Sequence, residues 1–156
     1  MGFTSRSANL SWAPPRNTHN SAVKFYSIHI RVGEDGHWDV KNAIITSNNE
    51  TSYQVVGLYP FTVYSFRVVA TNNMGPSQPS KESYYMVTLR EVPDGKPTVT
   101  MAYNTSSTSI HISWRAPHKS TIHGEFLGYR ISYRPREKAD DDFKEIYIRD
   151  SNVDSH

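Results

Sequence analysis

Asn9-Leu10-Ser11-Trp12-Ala13-Pro14-Pro15 has a counterpart far downstream in the chain, His111-Ile112-Ser113-Trp114-Arg115-Ala116-Pro117. A second matched pair follows at nearly the same distance from each Trp, Tyr26-Ser27-Ile28-His29-Ile30-Arg31 and Tyr129-Arg130-Ile131-Ser132-Tyr133-Arg134. The two Trp residues lie 102 positions apart and the two Tyr residues 103. Such a period is typical of whole domains, because solenoid units repeat every ~20 to 50 residues. The sequence therefore predicts two domains in tandem.

Apolar and polar residues alternate through these segments with a period of two. The run Tyr64-Ser65-Phe66-Arg67-Val68 shows the pattern, and Ile110, Ile112 and Trp114 repeat it. Alternation with Tyr, Ile, Val and Trp is typical of strands with one buried face. Turn-forming sequences such as Gly33-Glu34-Asp35-Gly36 separate the runs. We predict an all-β sandwich without helices.

The segment Leu58-Tyr59-Pro60-Phe61-Thr62-Val63-Tyr64 favours a tyrosine corner. In this motif a Tyr at the start of a strand packs its ring on the core, and its hydroxyl hydrogen-bonds to backbone a few residues upstream. An ordinary strand Tyr is the alternative. The Pro between Leu58 and Tyr64 favours the corner.

Together these features resemble a fibronectin type III domain, and the second copy resembles the first half of another. The resemblance rests on a small set of apolar residues, namely Trp12, Tyr26, Leu58, Pro60, Tyr64, Trp114 and Tyr129. It implies an all-β fold of two tandem fibronectin type III (immunoglobulin-like) β-sandwiches, the second of them truncated at its C-terminal end.

The repeat also predicts the domain boundaries. We expect one domain over residues 1–90 with its first strand mostly missing, a linker over 91–97 and a partial domain over 98–156. The counterpart of Tyr64 would fall near position 167, beyond His156. Because missing strands leave apolar surface uncovered, we expect 93–156 to be unstable alone. Limited proteolysis should then cleave fastest after Arg130, Arg134 and Lys144.

Composition excludes several classes of function. The 17 Lys and Arg residues against 15 Asp and Glu give a net charge of +2, too small to indicate nucleic-acid binding. The absence of Cys excludes disulfides, thiolate metal sites and a cysteine nucleophile. No apolar run reaches the ~18 residues of a membrane-spanning helix, so we predict no membrane insertion by this segment.

The sequence offers no convincing catalytic, cofactor or metal site. His118 and His123 lack the spacing of a helical zinc motif. Asp140-Asp141-Asp142 with Glu137 and Glu145 lacks the alternating ligands and the Gly of a calcium loop, so a solvated turn is favoured. We predict a protein that is not an enzyme and that binds no cofactor.

Three sequons for N-glycosylation begin at Asn9, Asn49 and Asn104. About two would occur by chance, so their number is uninformative. Their placement favours glycosylation, because Asn49 and Asn104 lie in predicted loops and Asn9 faces outward if Leu10 and Trp12 face the core.

A set of basic residues is predicted to face outward. His29 and Arg31 lie on the third strand of the first copy, Arg67 lies on the strand expected beside it, and Arg130 and Arg134 lie on the third strand of the second copy. They would form a stripe for heparan sulfate or for an acidic partner protein. Solvated charges on an exposed sheet face are the alternative. No Arg-Gly-Asp tripeptide is present.

The runs around Tyr64 and Tyr129 are similar to those in neuronal guidance and adhesion receptors: the neogenin and netrin-receptor family, Sidekick, Roundabout and the LAR-type receptor phosphatases. The resemblance implies a non-catalytic protein-binding or spacer segment of a cell-surface receptor or adhesion molecule, in the extracellular part of a single-pass plasma-membrane protein. Its partners would be a protein ligand or adhesion partner and heparan sulfate. An intracellular array of muscle type and an ectodomain piece of a receptor tyrosine phosphatase remain alternatives.

Overall fold

The structure, a computed structural model, describes residues 2–136 and 143–156. The chain divides into two compact units, Met1–Glu91 and Val92–His156. A 3-10 turn at Lys119–Thr121 is the only helical element among the described residues, and the predicted all-β fold is confirmed. The strands, in chain order, are β1 (Gly2–Phe3), β2 (Ala8–Ser11), β3 (Phe25–Val32), β4 (Asp39–Ile45), β5 (Ser52–Val55), β6 (Val63–Asn72), β7 (Gly75–Pro76), β8 (Met86–Val87), β9 (Thr98–Asn104), β10 (Ile110–Arg115), β11 (Tyr129–Tyr133) and β12 (Lys144–Ile148).

The first unit is a sandwich of two antiparallel sheets. One sheet has the order β1-β2-β5, and the other has the order β4-β3-β6-β7 with β8 also paired to β6. Side chains from both sheets meet in one core, because alternate residues of each strand point to the same face. The buried members of this core are Ala8, Leu10, Ile28, Val55, Leu58, Tyr64, Phe66 and Met86.

The corner at Tyr64 joins the two sheets. Tyr64 is buried, and its hydroxyl accepts a hydrogen bond of 2.9 Å from the backbone N–H of Tyr59. Burial raises the pKa of the Tyr64 hydroxyl. Thr62 donates from its hydroxyl to the Pro60 carbonyl at 2.8 Å, which fixes the tight approach to β6.

Three serines between β7 and β8 cover the free edge of β6. Ser77, Ser80 and Ser83 each donate a backbone N–H to a β6 carbonyl, those of Ala70, Val68 and Phe66 in turn, at 2.7–2.8 Å. The backbone N–H of each of those β6 residues donates back to the serine Oγ at 2.9 Å. We call these three residues the serine ladder. Its three-residue repeat is that of a polyproline II helix, which has no internal hydrogen bonds to compete with it.

Replacing Ser83 by alanine is expected to destabilise the first unit by about 1–3 kcal/mol. The reason is that the N–H of Phe66, a residue only 3% exposed, would lose its acceptor. Urea unfolding measures the effect, and Ser80→Ala is the matched control, because its bond to Val68 is solvent-exposed. Equal effects of the two changes would contradict this account of the ladder.

The second unit contains two antiparallel ribbons, β9–β10 and β11–β12. Trp114 and Tyr129 are its buried large apolar residues among those described, with ring centroids 5.3 Å apart at 62°. Trp12 and Tyr26 form the same edge-on pair in the first unit, 5.2 Å apart at 67°. The repeated motif thus builds the same aromatic contact in both units.

The repeat extends to the backbone hydrogen bonds. Trp12 donates its N–H to the Thr51 carbonyl at 3.0 Å, and Trp114 donates its N–H to the Asp154 carbonyl at 2.9 Å. Some apolar strand residues of the second unit are nevertheless poorly covered, with Ile110 66% and Tyr133 46% exposed. Among the described residues these two ribbons bury little beyond the Trp114–Tyr129 pair.

Candidate binding site

Arginine side chains and aromatic rings gather on the outer face of the β3–β6 pair. In the register His29 lies opposite Arg67, and Arg31 lies opposite Ser65. Tyr26 and Ile28 point into the sandwich. Because successive residues of a strand point to opposite faces, His29 and Arg31 point to the outer face. The residues that meet there are His29, Arg31, Trp38, Arg67, Glu82 and Tyr85, which we call the Trp38 cluster.

The Trp38 ring holds two guanidinium groups. The Cζ atoms of Arg31 and Arg67 each lie 4.7 Å from its centroid. Trp is the strongest aromatic partner for a cation, because its ring carries the largest negative face. Stacking on one indole therefore fixes both arginines in place on the sheet.

Arg31 is held by three neighbouring side chains. Its Nε donates to the Ser65 hydroxyl at 3.1 Å and its Nη2 donates to the Tyr85 hydroxyl at 3.1 Å. The same Nη2 forms an ion pair with the Glu82 carboxylate at 2.9 Å. Tyr85 donates in turn to the Glu34 carbonyl at 3.1 Å. The Arg31 side chain is only 14% exposed, and its charge is balanced by the carboxylate of Glu82.

Arg67 is held by a neutral histidine. Its Nε donates to the Nδ1 of His29 at 2.9 Å, which requires that nitrogen to be unprotonated. Burial lowers the pKa of His29, and the positive charge of Arg67 lowers that pKa further. His29 is thus an acceptor that orients Arg67.

The five residues of the predicted basic stripe have different surroundings in the structure. His29 is 7% exposed and uncharged, because Arg67 and burial favour its neutral form. The other two predicted members belong to the second unit: Arg130 is exposed and 3.9 Å from Glu145, and Arg134 stacks on the Phe143 ring. Binding of heparan sulfate or of an acidic partner by these five residues stays a prediction.

Sequence reasoning missed Trp38, Tyr85 and the serine ladder. The ladder had a signal, because Ser77, Ser80 and Ser83 recur every three residues around Pro79. Trp38 had none, since it precedes β4 in an irregular segment and reaches the arginines only through the fold.

The three sequon asparagines lie at the surface. Asn9 is on the outward side of β2, Asn49 is in the turn before β5 and Asn104 ends β9, and all three are exposed. Each would be accessible to a glycan without unfolding of its strand or turn.

The predicted absence of a metal site concerned two histidines and an acidic run. His118 caps the short 3-10 turn by accepting from the N–H of Ser120, and His123 pairs with Asp94. Residues 137–142 of the acidic run lie outside the described residues. In the parts that are described, no three potential ligands are grouped for a metal. The same parts contain no helix with the length and apolarity needed to cross a membrane.

The lowered pKa of His29 predicts a pH dependence of stability. The pKa of His29 in the folded protein lies below the value of about 6.5 that it has in the unfolded chain. At pH values between these two pKa values, the unfolded chain binds more protons than the folded protein. The stability that the fold gains from a neutral His29 is fully present above pH ~6.5, and it is lost as the pH falls towards the pKa of His29 in the folded protein. Urea midpoints from pH 7.5 to 5, followed by β3 and β6 amide signals, should fall less in His29→Asn than in wild type. Parallel pH profiles would contradict the assignment.

Comparisons with known proteins agree with this architecture. The model of the fibronectin type III domain matches residues 2–85, more than half of the chain. The receptor-type tyrosine-protein phosphatase mosPTP-1 of Aedes aegypti is 60% identical across the whole chain, which spans 12% of that protein. Sidekick-2 of Mus musculus is 40% identical over 83% of the chain, or 6% of that protein.

A solved structure shows the same fold over the full length of the chain. The FN1-FN3 domains of chicken CNTN1 align with 100% of the chain and 52% of that structure, with a TM-score of 0.67 and 20% identity. The resemblance noted in the sequence is thereby confirmed. The strand order of the first unit, the matched family model and this shared fold show that the chain belongs to the fibronectin type III domain family.

Proposed function

We propose that the chain is a non-catalytic protein-binding or spacer segment in the extracellular part of a cell-surface receptor or adhesion molecule. The observation that carries the proposal is the 60% identity, over the whole chain, with a protein named as a receptor-type phosphatase. The chain spans about an eighth of that protein and less of sidekick-2, so it would be one part of a longer array. The proposed modules are residues 1–90 and 98–156, joined by 91–97.

The geometry supports binding rather than chemistry. Fibronectin type III domains are non-catalytic, and a phosphatase activity of the whole protein would reside in another domain. The outer face of the first unit instead presents Trp38, Tyr85 and Arg67, the residue types that dominate protein–protein interfaces. A protein ligand or adhesion partner is therefore the proposed class of partner.

Glycosylation at Asn9, Asn49 and Asn104 is part of the same proposal. Their exposure supports it, since each side chain points to solvent. Occupied sequons would require passage through the secretory pathway, which an intracellular muscle-type array does not enter. A mass decrease on treatment with peptide-N-glycosidase, lost in the triple Asn→Gln variant, is the expected result. An unmodified mass at all three sites would oppose a secreted location.

The direct test of the proposal is the sequence of the full-length transcript. We expect a signal peptide upstream of this segment and one membrane-spanning helix downstream. A complete reading frame with neither would favour the intracellular array. A tyrosine phosphatase domain beyond the membrane helix would identify the whole protein as a receptor phosphatase.

A further inference from the structure

The free edge of the Arg67 guanidinium is the strongest unexplained feature of the Trp38 cluster. The Nε–H of Arg67 donates a hydrogen bond to His29, and the planar face of the guanidinium stacks on the Trp38 ring. The Nη atoms of Arg67 have no hydrogen-bond partner within residues 2–136 and 143–156. The residue is partly exposed. A guanidinium fixed in this way presents two parallel N–H groups to solvent, which is the geometry of bidentate carboxylate binding.

We propose that the Nη edge of Arg67, held on Trp38 by His29, binds an Asp or Glu carboxylate of a protein partner. This inference rests on the proposed function of the chain as a binding segment. Most of the ordering is already present in the unbound protein, so binding would freeze little additional side-chain motion.

The surroundings favour a single carboxylate over a polyanion. Glu82 already pairs with Arg31, whose side chain is only 14% exposed, and His29 is uncharged, so Arg67 is the cation of the cluster that has no carboxylate partner among the described residues. A sulfated polysaccharide gains affinity from many open cations in a row. Tyr85, which is 51% exposed and contacts Arg31 in the same cluster, adds an aromatic ring of the kind enriched in protein interfaces.

A titration of the full chain with 3-phenylpropionate tests the proposal, because this probe joins one carboxylate to an apolar ring. The readouts are the indole N–H resonance of Trp38, assigned with Trp38→Phe, and the Nε–H resonance of Arg67, assigned with Arg67→Lys. The Arg31 Nε–H, which bonds to Ser65, is the internal reference. The neutral 3-phenylpropionamide is the matched control ligand.

The expected result is a saturable shift of Arg67 and Trp38 with little change at Arg31. The amide and the Arg67→Lys variant should each bind about fivefold more weakly or worse, because a bidentate contact is lost. Equal binding of acid and amide, or equal shifts at Arg31 and Arg67, would overturn the proposal. So would a response to a heparin tetrasaccharide without one to the acid, which would indicate a polysaccharide site. The transcript sequence tests the cell-surface assignment independently, so failure here would remove only this site.

Discussion

Replacing Trp114 by alanine is expected to unfold the second unit. Trp114 is 6% exposed and packs edge-on against Tyr129, which itself packs on Phe126 with a centroid separation of 5.0 Å. Removing a buried Trp side chain costs about 3–5 kcal/mol, and a unit of this size has little stability in reserve. The amide NMR signals of residues 92–156 should collapse to the dispersion of an unfolded chain.

Tyr147→Ala is the matched control in the same unit. Its ring is 62% exposed on β12, so we expect a change below about 0.5 kcal/mol and an intact spectrum. Trp114→Phe should partly restore folding, since it keeps an aromatic ring against Tyr129. A folded spectrum for Trp114→Ala would show that this aromatic pair is not the core of the unit.

Replacing Ile28 by alanine is expected to destabilise the first unit by about 2–5 kcal/mol. Ile28 is completely buried and lies in β3, between the two sheets of the core. Truncation leaves a cavity that close-packed neighbours fill only in part. Urea unfolding, followed by amide signals of β3 and β6, measures the change.

The chain supplies a control of identical chemistry. Ile45 lies on the neighbouring strand β4, paired with Ser27, and is 64% exposed. Ile45→Ala should therefore change the free energy of unfolding by less than about 0.5 kcal/mol. Comparable losses for the two variants would mean that β3 is not packed between the sheets.

Sequence alone predicted the architecture of the first unit well, because strand alternation is a local signal. The side of the sheet on which Ile28 and Phe66 lie follows from period two once the strands are recognised. The tyrosine corner at Tyr64 could likewise be predicted from the sequence, because Tyr59, whose N–H donates to the Tyr64 hydroxyl, is only five residues away.

What sequence could not predict depended on distant parts of the chain. Alternation placed His29 and Arg31 on the outer face but could not show that Trp38 and Tyr85 cover that face. Alternation likewise did not show how far each apolar residue of the second unit is covered, and Ile110 is 66% exposed. The predicted boundaries at 90 and 97 stay predictions.

Antibody labelling of intact cells that express the full-length protein tests the central claim most directly. An antibody raised against this chain should stain cells that have not been permeabilised, and brief external protease should abolish the signal. Staining that appears only after permeabilisation would contradict an extracellular location and, with it, the receptor or adhesion function proposed for this segment.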